Sequence, residues 1–199
     1  MTEPTTFRRL VGLPTEPAAL AQSVLVLIDC QREYVDGTVP VPGLAAALDR
    51  AQRLLERARE RSVPVFHVAH RGAPGSPVFD PNGPFCDIMP AVAPRDGEAV
   101  VHKQTPNAFV GTDLGNLLSA TGRSQAIFTG FMTHNCVDAS VRGAFDLGYA
   151  CAVAADAVAT RDLPDGRGGI IPADVLHRAA LAGLADRVAT VVENVDDFV

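Results

Sequence analysis

Three residues with side chains suited to nucleophilic catalysis follow separate apolar segments of the chain. Asp29 follows the run SVLVLI, Lys103 ends AVVHK, and Cys136 follows QAIFTGF after a short turn. A thiolate is a strong nucleophile, and a nearby cation or a helix N-terminus lowers its pKa. A carboxylate can accept the thiol proton and return it to a leaving group. Each residue alone has an ordinary structural explanation, but together they predict a cysteine nucleophile with an acid–base partner.

The elements that must bring these residues together alternate between strand and helix patterns. Continuous apolar runs indicate buried strands, and apolar residues spaced by three and four indicate amphipathic helices. The predicted strands are 23–28, 63–70, 99–103, 125–131, 150–158 and 189–194, and the predicted helices are 43–61, 111–121, 136–148 and 173–185. This alternation predicts an α/β fold with a doubly wound, Rossmann-like parallel sheet of about six strands and helices on both faces. Ligands bind such sheets outside the carboxyl ends of the strands, which is where Asp29, Lys103 and Cys136 fall.

Length, charge and hydropathy limit the class of protein. The 199 residues, 47% of them hydrophobic, suffice for one sizeable core, so we predict an N-terminal arm over 1–20 and a single domain over 21–199. A net charge of -6 without a basic stripe argues against nucleic acid as a partner. No segment approaches the roughly 20 apolar residues of a membrane helix, and the N-terminus lacks an apolar signal core. We therefore expect a soluble, cytoplasmic protein that acts on a small molecule.

The remaining cysteines are not predicted to be catalytic. The four cysteines of the chain lie far apart and form no C-x-x-C pair, so neither a disulfide framework nor a zinc clip is indicated. Strand alternation should turn Cys30 away from its neighbour Asp29, and Cys151 begins a strand, so both are predicted to be core residues. Cys86 lies in the long Pro- and Gly-containing segment 71–97 and is a candidate for an exposed, reactive thiol.

Three sequence blocks resemble the signature blocks of the isochorismatase-like cysteine hydrolase superfamily, in matching order and spacing. The blocks are VLVLIDCQREY, VVHKQTPNAFVGTDL and FTGFMTHNCVDASVRGAFDLGY, and the resemblance spans nearly the whole chain. It implies an Asp–Lys–Cys catalytic triad formed by Asp29, Lys103 and Cys136. It also implies a non-proline cis peptide between Phe131 and Met132, with the backbone amides of Met132 and Cys136 as the oxyanion hole.

The resemblance further implies which residues bind the substrate. Gln31 and Tyr34 follow the triad aspartate, and Asn107 and Phe109 follow the triad lysine. We expect these four residues to orient the substrate or to form the wall of its pocket. His134 lies just before the triad cysteine, and we expect it to contact the substrate or a subunit interface rather than to act as the base.

The sequence departs from the metal-binding branch of this superfamily. Nicotinamidases carry an Asp-x-His metal motif and further histidines ahead of the second strand, whereas the corresponding region here, VDGTVPVPGLAAALDR, contains no histidine. His67 and His70 lie within or at the end of the second predicted strand and are weak candidates for metal ligands. The sequence therefore favours the zinc-free branch, with no metal and no cofactor.

Three functions remain open at this point. The presence of Cys136 favours hydrolysis of a non-peptide C–N bond, in an amide, carbamoyl, ureido or lactam compound, through a thioester. Some members of the superfamily hydrolyse the vinyl ether of isochorismate without a cysteine nucleophile, and this reaction is the alternative. A second alternative is a non-catalytic subunit for small-molecule binding or assembly. The resemblance also implies a homo-oligomer, either a dimer or a larger assembly.

Overall fold

A six-stranded parallel sheet forms the centre of the protein in the computed structural model, which describes residues 3–17 and 19–199. In chain order the strands are β1 (Ser23–Ile28), β2 (Val65–His70), β3 (Ala99–Lys103), β4 (Gln125–Phe131), β5 (Ala150–Ala159), β6 (Leu163–Pro164), β7 (Ile170–Ile171) and β8 (Ala189–Val192). The strand order in the large sheet is β3-β2-β1-β4-β5-β8, and every neighbouring pair is parallel. The predicted fold class is confirmed.

Helices cover both faces of the sheet. They are α1 (Phe7–Leu10), α2 (Leu44–Glu60), α3 (Leu114–Ala120), α4 (Asp138–Asp146) and α5 (Ala173–Arg187). Successive strand residues point to opposite faces, so β1 directs Leu25 and Leu27 towards α2, and Val24 and Val26 towards α3, α4 and α5. Burial on both faces accounts for the continuous apolar runs in the sequence. No helix among the described residues is long and apolar enough to cross a membrane.

The structure differs from the predicted elements mainly where strands give way to loops and helices. The predicted helix 136–148 is divided into a π-helical turn, Thr133–Val137, and α4. Helix α3 begins later than predicted, because the Thr112 hydroxyl accepts a hydrogen bond from Leu114 N and ends the preceding turn. The glycine-rich loop after β5 contains the short antiparallel pair β6 and β7.

The carboxyl ends of the four neighbouring strands β3, β2, β1 and β4 lie side by side at one edge of the sheet. Strands β1 and β4 are neighbours there, and the chain continues from them to opposite sides of the sheet. This is the topological switch point at which open α/β sheets bind ligands. Asp29 follows β1, His70 and Lys103 end β2 and β3, and Cys136 lies in the π-helical turn after β4.

Candidate active site

The Lys103 ammonium group lies between the Asp29 carboxylate and the Cys136 sulfur. Lys103 Nζ is 2.7 Å from Asp29 Oδ2 and 3.2 Å from Cys136 Sγ. The exposed fractions of Asp29, Lys103 and Cys136 are 0%, 1% and 5%. The structure thus brings these three residues together in one buried cluster, in which a cation contacts both a thiol and a carboxylate.

A tight backbone turn holds Asp29 at the switch point. Its φ of +48° lies in the left-handed region, which aspartate adopts more readily than most residues. Asp29 N donates to Val68 O at 2.8 Å, and Asp29 O accepts from Gln31 N at 2.7 Å. On the β4 side, a Cβ at Gly130 would be 2.0 Å from Ile28 O. Glycine at this position therefore allows β4 to pack closely against the end of the strand that precedes Asp29.

The π-helical turn contains Cys136, and a backbone N–H group without a partner among the described residues lies just before it. The Phe131–Met132 peptide bond that precedes the turn is cis. Met132 N donates to no acceptor within the part of the chain that the structure describes, and Val137 N closes the turn on Met132 O at 3.2 Å. Cys136 itself lies in the first turn of this helical segment, where backbone N–H groups commonly lack carbonyl partners. Such groups are suited to bind an oxyanion.

Burial has the largest effect on the pKa values of the Asp29 carboxyl and the Cys136 thiol. It raises the pKa of the Asp29 carboxyl, although the Lys103 charge acts in the opposite direction. Burial, followed by the Asp29 charge, raises the pKa of the Cys136 thiol to about 12. Beyond its ion pair with Lys103, neither Asp29 carboxylate oxygen has a hydrogen-bond partner among the described residues. Burial therefore favours the protonated form of the Cys136 thiol and makes the Asp29 carboxyl a stronger base than an ordinary aspartate.

A fourth polar residue, His70, contacts Lys103 from the end of β2. His70 Nδ1 is 3.1 Å from Lys103 Nζ, and the two residues are register partners on neighbouring strands. Burial and the Lys103 charge lower the pKa of His70 to about 4, so the ring is neutral at pH 7. Because an ammonium group only donates, Nδ1 must be the acceptor. His70 was not among the catalytic residues predicted from sequence. It ends a strand, however, and this is the same criterion by which Lys103 was predicted.

The cluster also contains the donor set of a potential metal site. Ligand atoms of Asp29, His70 and Cys136 lie within 4.8 Å of one another. Lys103 Nζ, however, lies 2.7 Å from the aspartate, 3.1 Å from the histidine and 3.2 Å from the cysteine. The three groups are therefore organised around an ammonium ion that belongs to the protein itself.

Gln31 lies behind this cluster and is fully buried. Its Nε2 donates to His70 O at 2.9 Å and to Cys86 O at 2.6 Å, and its Oε1 accepts from His70 N at 2.7 Å. Both ends of the amide thus bind backbone groups. In the structure, Gln31 joins the end of β2 to the long loop and is not placed on an open pocket wall.

The long loop 71–97 folds back on the residues that follow β1. Glu33 Oε2 accepts from Phe79 N at 3.1 Å, and the Phe79 ring packs against Tyr34 and His70 with centroid distances of 5.4 and 4.9 Å. Tyr34, only 2% exposed, forms an apolar wall next to the cluster. Cys86 is buried in the same packing, and burial raises the pKa of its thiol. The expectation of an exposed, reactive Cys86 is wrong, because the loop encloses this residue.

The other predicted substrate residues make their contacts outside the Asp29–Lys103–Cys136 cluster. Asn107 Oδ1 accepts from Phe109 N at 2.9 Å, and a Cβ at Gly143 of α4 would be 2.7 Å from Asn107 Nδ2. The partly buried Phe109 packs against the apolar cluster on the α3 side of the sheet. His134 Nδ1 is hydrogen-bonded to Thr160 Oγ1. Within the described residues, none of these three side chains is hydrogen-bonded to Asp29, Lys103 or Cys136.

Comparison with known proteins assigns the chain and its fold to a family. The sequence profile of the isochorismatase domain matches residues 23–196 of the chain. The chain belongs to the isochorismatase family. The crystal structure of an isochorismatase from Pseudomonas putida KT2440 superposes with a TM-score of 0.93, at 39% sequence identity, and the match covers 99% of this chain and 100% of that one.

Two relatives within this family are informative about chemistry. The secreted isochorismatase effector Isc1 of Verticillium dahliae is 35% identical over 190 residues, which cover 96% of this chain and 97% of that protein. The maleamate amidohydrolase of Pseudomonas putida KT2440 is 31% identical over 170 residues, which cover 76% of each chain. The family membership and these relatives identify the chain as a hydrolase.

Proposed function

We propose that this isochorismatase-family protein hydrolyses a non-peptide C–N bond of a small molecule, in an amide, carbamoyl, ureido or lactam group. The observation that carries the proposal is the position of Lys103 Nζ, 2.7 Å from Asp29 Oδ2 and 3.2 Å from Cys136 Sγ. This arrangement supplies a nucleophile, a base and a fixed positive charge. The name of the maleamate amidohydrolase supports amide chemistry within the family.

In the first half of the proposed reaction, Cys136 Sγ attacks the substrate carbonyl carbon. Asp29 takes the thiol proton, and Lys103 stabilises the negative charge on sulfur. The backbone amides of Met132 and Cys136 donate to the oxyanion of the tetrahedral intermediate. Protonated Asp29 then gives its proton to the leaving nitrogen, so that an amine or ammonia departs and a thioester remains on Cys136.

In the second half, water hydrolyses the thioester. Asp29 removes a proton from the water molecule, and the water oxygen attacks the thioester carbonyl carbon. The same backbone amides bind the second oxyanion. The C–S bond breaks, Cys136 leaves as a thiolate, and Asp29 returns the proton to it. The raised pKa of Asp29 suits this double role, because a more basic carboxylate accepts protons more readily.

The decisive experiment detects both the product and the covalent intermediate. The purified protein is offered a panel of primary amides, carbamoyl compounds, ureido acids and lactams, and the release of ammonia or amine is measured. For the slowest substrate, intact mass spectrometry of quenched samples should show an acyl adduct, and peptide mapping should locate it on Cys136.

Two cysteine variants form a matched pair for this experiment. Cys136→Ala should abolish turnover and the adduct. Cys151→Ala removes another buried thiol, whose pKa is also raised to about 12 by burial, and should retain both. Normal amide turnover by Cys136→Ala would overturn the proposal.

Vinyl-ether hydrolysis of isochorismate is the second candidate, favoured by the name of the Verticillium relative. This reaction releases pyruvate and no ammonia, so isochorismate belongs in the same substrate panel. Pyruvate release that persists in Cys136→Ala, without ammonia from any amide, would select this alternative over the cysteine mechanism.

The proposal includes a cytoplasmic location and a homo-oligomeric state. The four cysteines are free and buried, as suits a reducing compartment. Light scattering on the purified protein would give the oligomeric state, and fractionation of the producing cells would give the location.

A further inference from the structure

The Lys103 ammonium group contacts three groups: the Asp29 carboxylate in an ion pair, and two hydrogen-bond acceptors, His70 and Cys136. Asp29 Oδ2, His70 Nδ1 and Cys136 Sγ lie 2.7, 3.1 and 3.2 Å from Lys103 Nζ. A lysine ammonium has three donors and rotates freely about its last bond, so its orientation depends on its partners. With all three partners in place, one N–H is directed at the sulfur.

His70, the last residue of β2, is held by contacts to its backbone and to its ring in addition to its strand pairing. The amide of Gln31 binds its backbone on both sides, at 2.7 Å to N and 2.9 Å to O. The Phe79 ring packs against the imidazole with a centroid distance of 4.9 Å, and Phe79 N is fixed by Glu33. The register pairing of His70 with Lys103 fixes the separation of the two side chains. The imidazole is therefore a rigid acceptor for a flexible lysine.

We propose that His70 is a positioning residue for the reaction, a neutral imidazole that accepts one Lys103 proton and thereby directs another at Cys136, with Gln31 as its support. This inference rests on the proposed function. His70 acts through Lys103, whose remaining contacts are the Asp29 carboxylate and the Cys136 sulfur. Without the imidazole acceptor, the ammonium turns towards Asp29, and the developing thiolate loses its hydrogen bond.

The tests require variants that differ only in the acceptor. His70→Leu has a branched side chain of comparable reach and no acceptor, and His70→Asn has an amide oxygen at the branch position that Nδ1 occupies. His70→Met is a second variant without a nitrogen or oxygen acceptor, whose flexible side chain fills irregular space if the leucine variant does not fold. His102→Leu, at an exposed histidine next to Lys103 in β3, is the matched control.

Two measurements test the proposal, and the second needs no substrate. A hydrogen bond to a charged group corresponds to about 10-fold to 100-fold in rate. His70→Leu should therefore lower kcat by that factor with little change in KM. The rate of iodoacetamide labelling of Cys136, followed by peptide mass spectrometry from pH 6 to 10, should be lower at each pH in His70→Leu, because the thiolate is less stabilised. His70→Asn should restore both properties towards those of the unmodified protein, and His102→Leu should change neither.

The outcomes separate this proposal from the proposed function. If no amide is hydrolysed by the unmodified protein, the labelling profile still tests the acceptor role. A labelling profile of His70→Leu that equals that of the unmodified protein overturns the proposal. An equal loss of kcat and of labelling rate in His70→Leu and His70→Asn also overturns the proposal, since this would show that the imidazole ring contributes only to packing.

Discussion

Strand β2 contributes a histidine to each of two polar networks, which differ in how completely their carboxylate is hydrogen-bonded. In the first network, His67 Nε2 lies 2.9 Å from Glu98 Oε2, and Arg59 donates to both Glu98 oxygens at 2.7 and 2.8 Å. In the second, the Asp29 carboxylate has its ion pair with Lys103 at 2.7 Å and no hydrogen-bond partner beyond it among the described residues. The Glu98 carboxylate therefore has donors at both oxygens, whereas the carboxylate that we propose as the base has only its ion pair in the described part of the chain.

The pKa values of the two carboxyl groups are shifted in opposite directions. Burial acts to raise the pKa of Glu98, but the hydrogen bonds from Arg59, Arg95 and His67 outweigh it and lower the pKa to about 2. Burial raises the pKa of the fully buried Asp29, and the Lys103 charge and the weaker hydrogen-bonding effects of Lys103, Cys136 and the His70 backbone do not reverse the shift. The balance between burial and the opposing charges and hydrogen bonds therefore decides the direction in which the pKa of a carboxyl group shifts.

Replacement of Asp29 by asparagine should have the largest effect on activity. Asparagine keeps the shape of the side chain and removes the proton acceptor, and general base catalysis contributes about 10²-fold to 10⁴-fold to a rate. We expect kcat/KM for an amide substrate to fall by that factor, with an unchanged circular dichroism spectrum. Near-normal turnover by a folded Asp29→Asn protein would mean that the open carboxylate is not the base.

Removal of Lys103 should have the next largest effect, on stability as well as activity. Lys103→Met leaves Asp29 as a buried charge without a counter-charge, which destabilises a protein by about 3 to 5 kcal/mol. Urea unfolding should show the loss, and the double variant Asp29→Asn/Lys103→Met should recover most of it while remaining inactive. A double variant no more stable than Lys103→Met would show that the lysine stabilises by packing and not by charge.

The fold was predictable because its signals are local and redundant. Six apolar runs, each followed or preceded by an amphipathic segment, leave little choice other than a parallel sheet with covered faces. The π-helical turn at Thr133–Val137 was not predictable, because its hydrogen-bond step depends on how β4 ends beside β5. Sequence periodicity distinguishes helix from strand but does not distinguish one helical turn from another.

The site was predictable to the extent that its residues are of unusual type at strand ends. Asp29, Lys103 and Cys136 meet this criterion, and the structure brings them into contact. His70 meets it too, but its role depends on register pairing with Lys103, which only the sheet order reveals. Gln31 follows Asp29 and was therefore predicted to line the pocket, yet its amide binds backbone carbonyls of His70 and Cys86. The loop that contains Cys86 has no hydrophobic periodicity from which its path could be predicted. Contacts that depend on strand register or on the path of an irregular loop therefore remained beyond prediction.

The opposite pKa shifts predict a range of acid pH in which the protein is folded but inactive. Asp29 must be ionised to accept the thiol proton, so kcat/KM should fall with decreasing pH through a value above the ordinary aspartate pKa of about 3.9. Glu98 has a lowered pKa, so its contribution to stability is complete above about 4.3, the pKa of an unfolded glutamate, and is lost as pH falls through about 2. Activity assays and circular dichroism at the same pH values should show inactivation before unfolding, with full recovery at pH 7. Unfolding that coincides with inactivation would contradict this prediction.

Glu98→Gln should have the smallest effect on activity and a clear effect on stability. The substitution weakens the hydrogen bonds of Arg59 and His67 to a group whose side chain is 12% exposed, and we expect a loss of about 1 to 3 kcal/mol in urea unfolding. The Glu98 network and the candidate active site both include residues of β2, but Lys103 belongs only to the active site. We therefore expect kcat to remain unchanged. Glu60→Gln, at an exposed position on the same helix as Arg59, is the control and should change neither quantity. A fall in kcat for Glu98→Gln comparable to that of His70→Leu would mean that β2 couples the two networks, and that stabilising and catalytic charges in this protein are not separable.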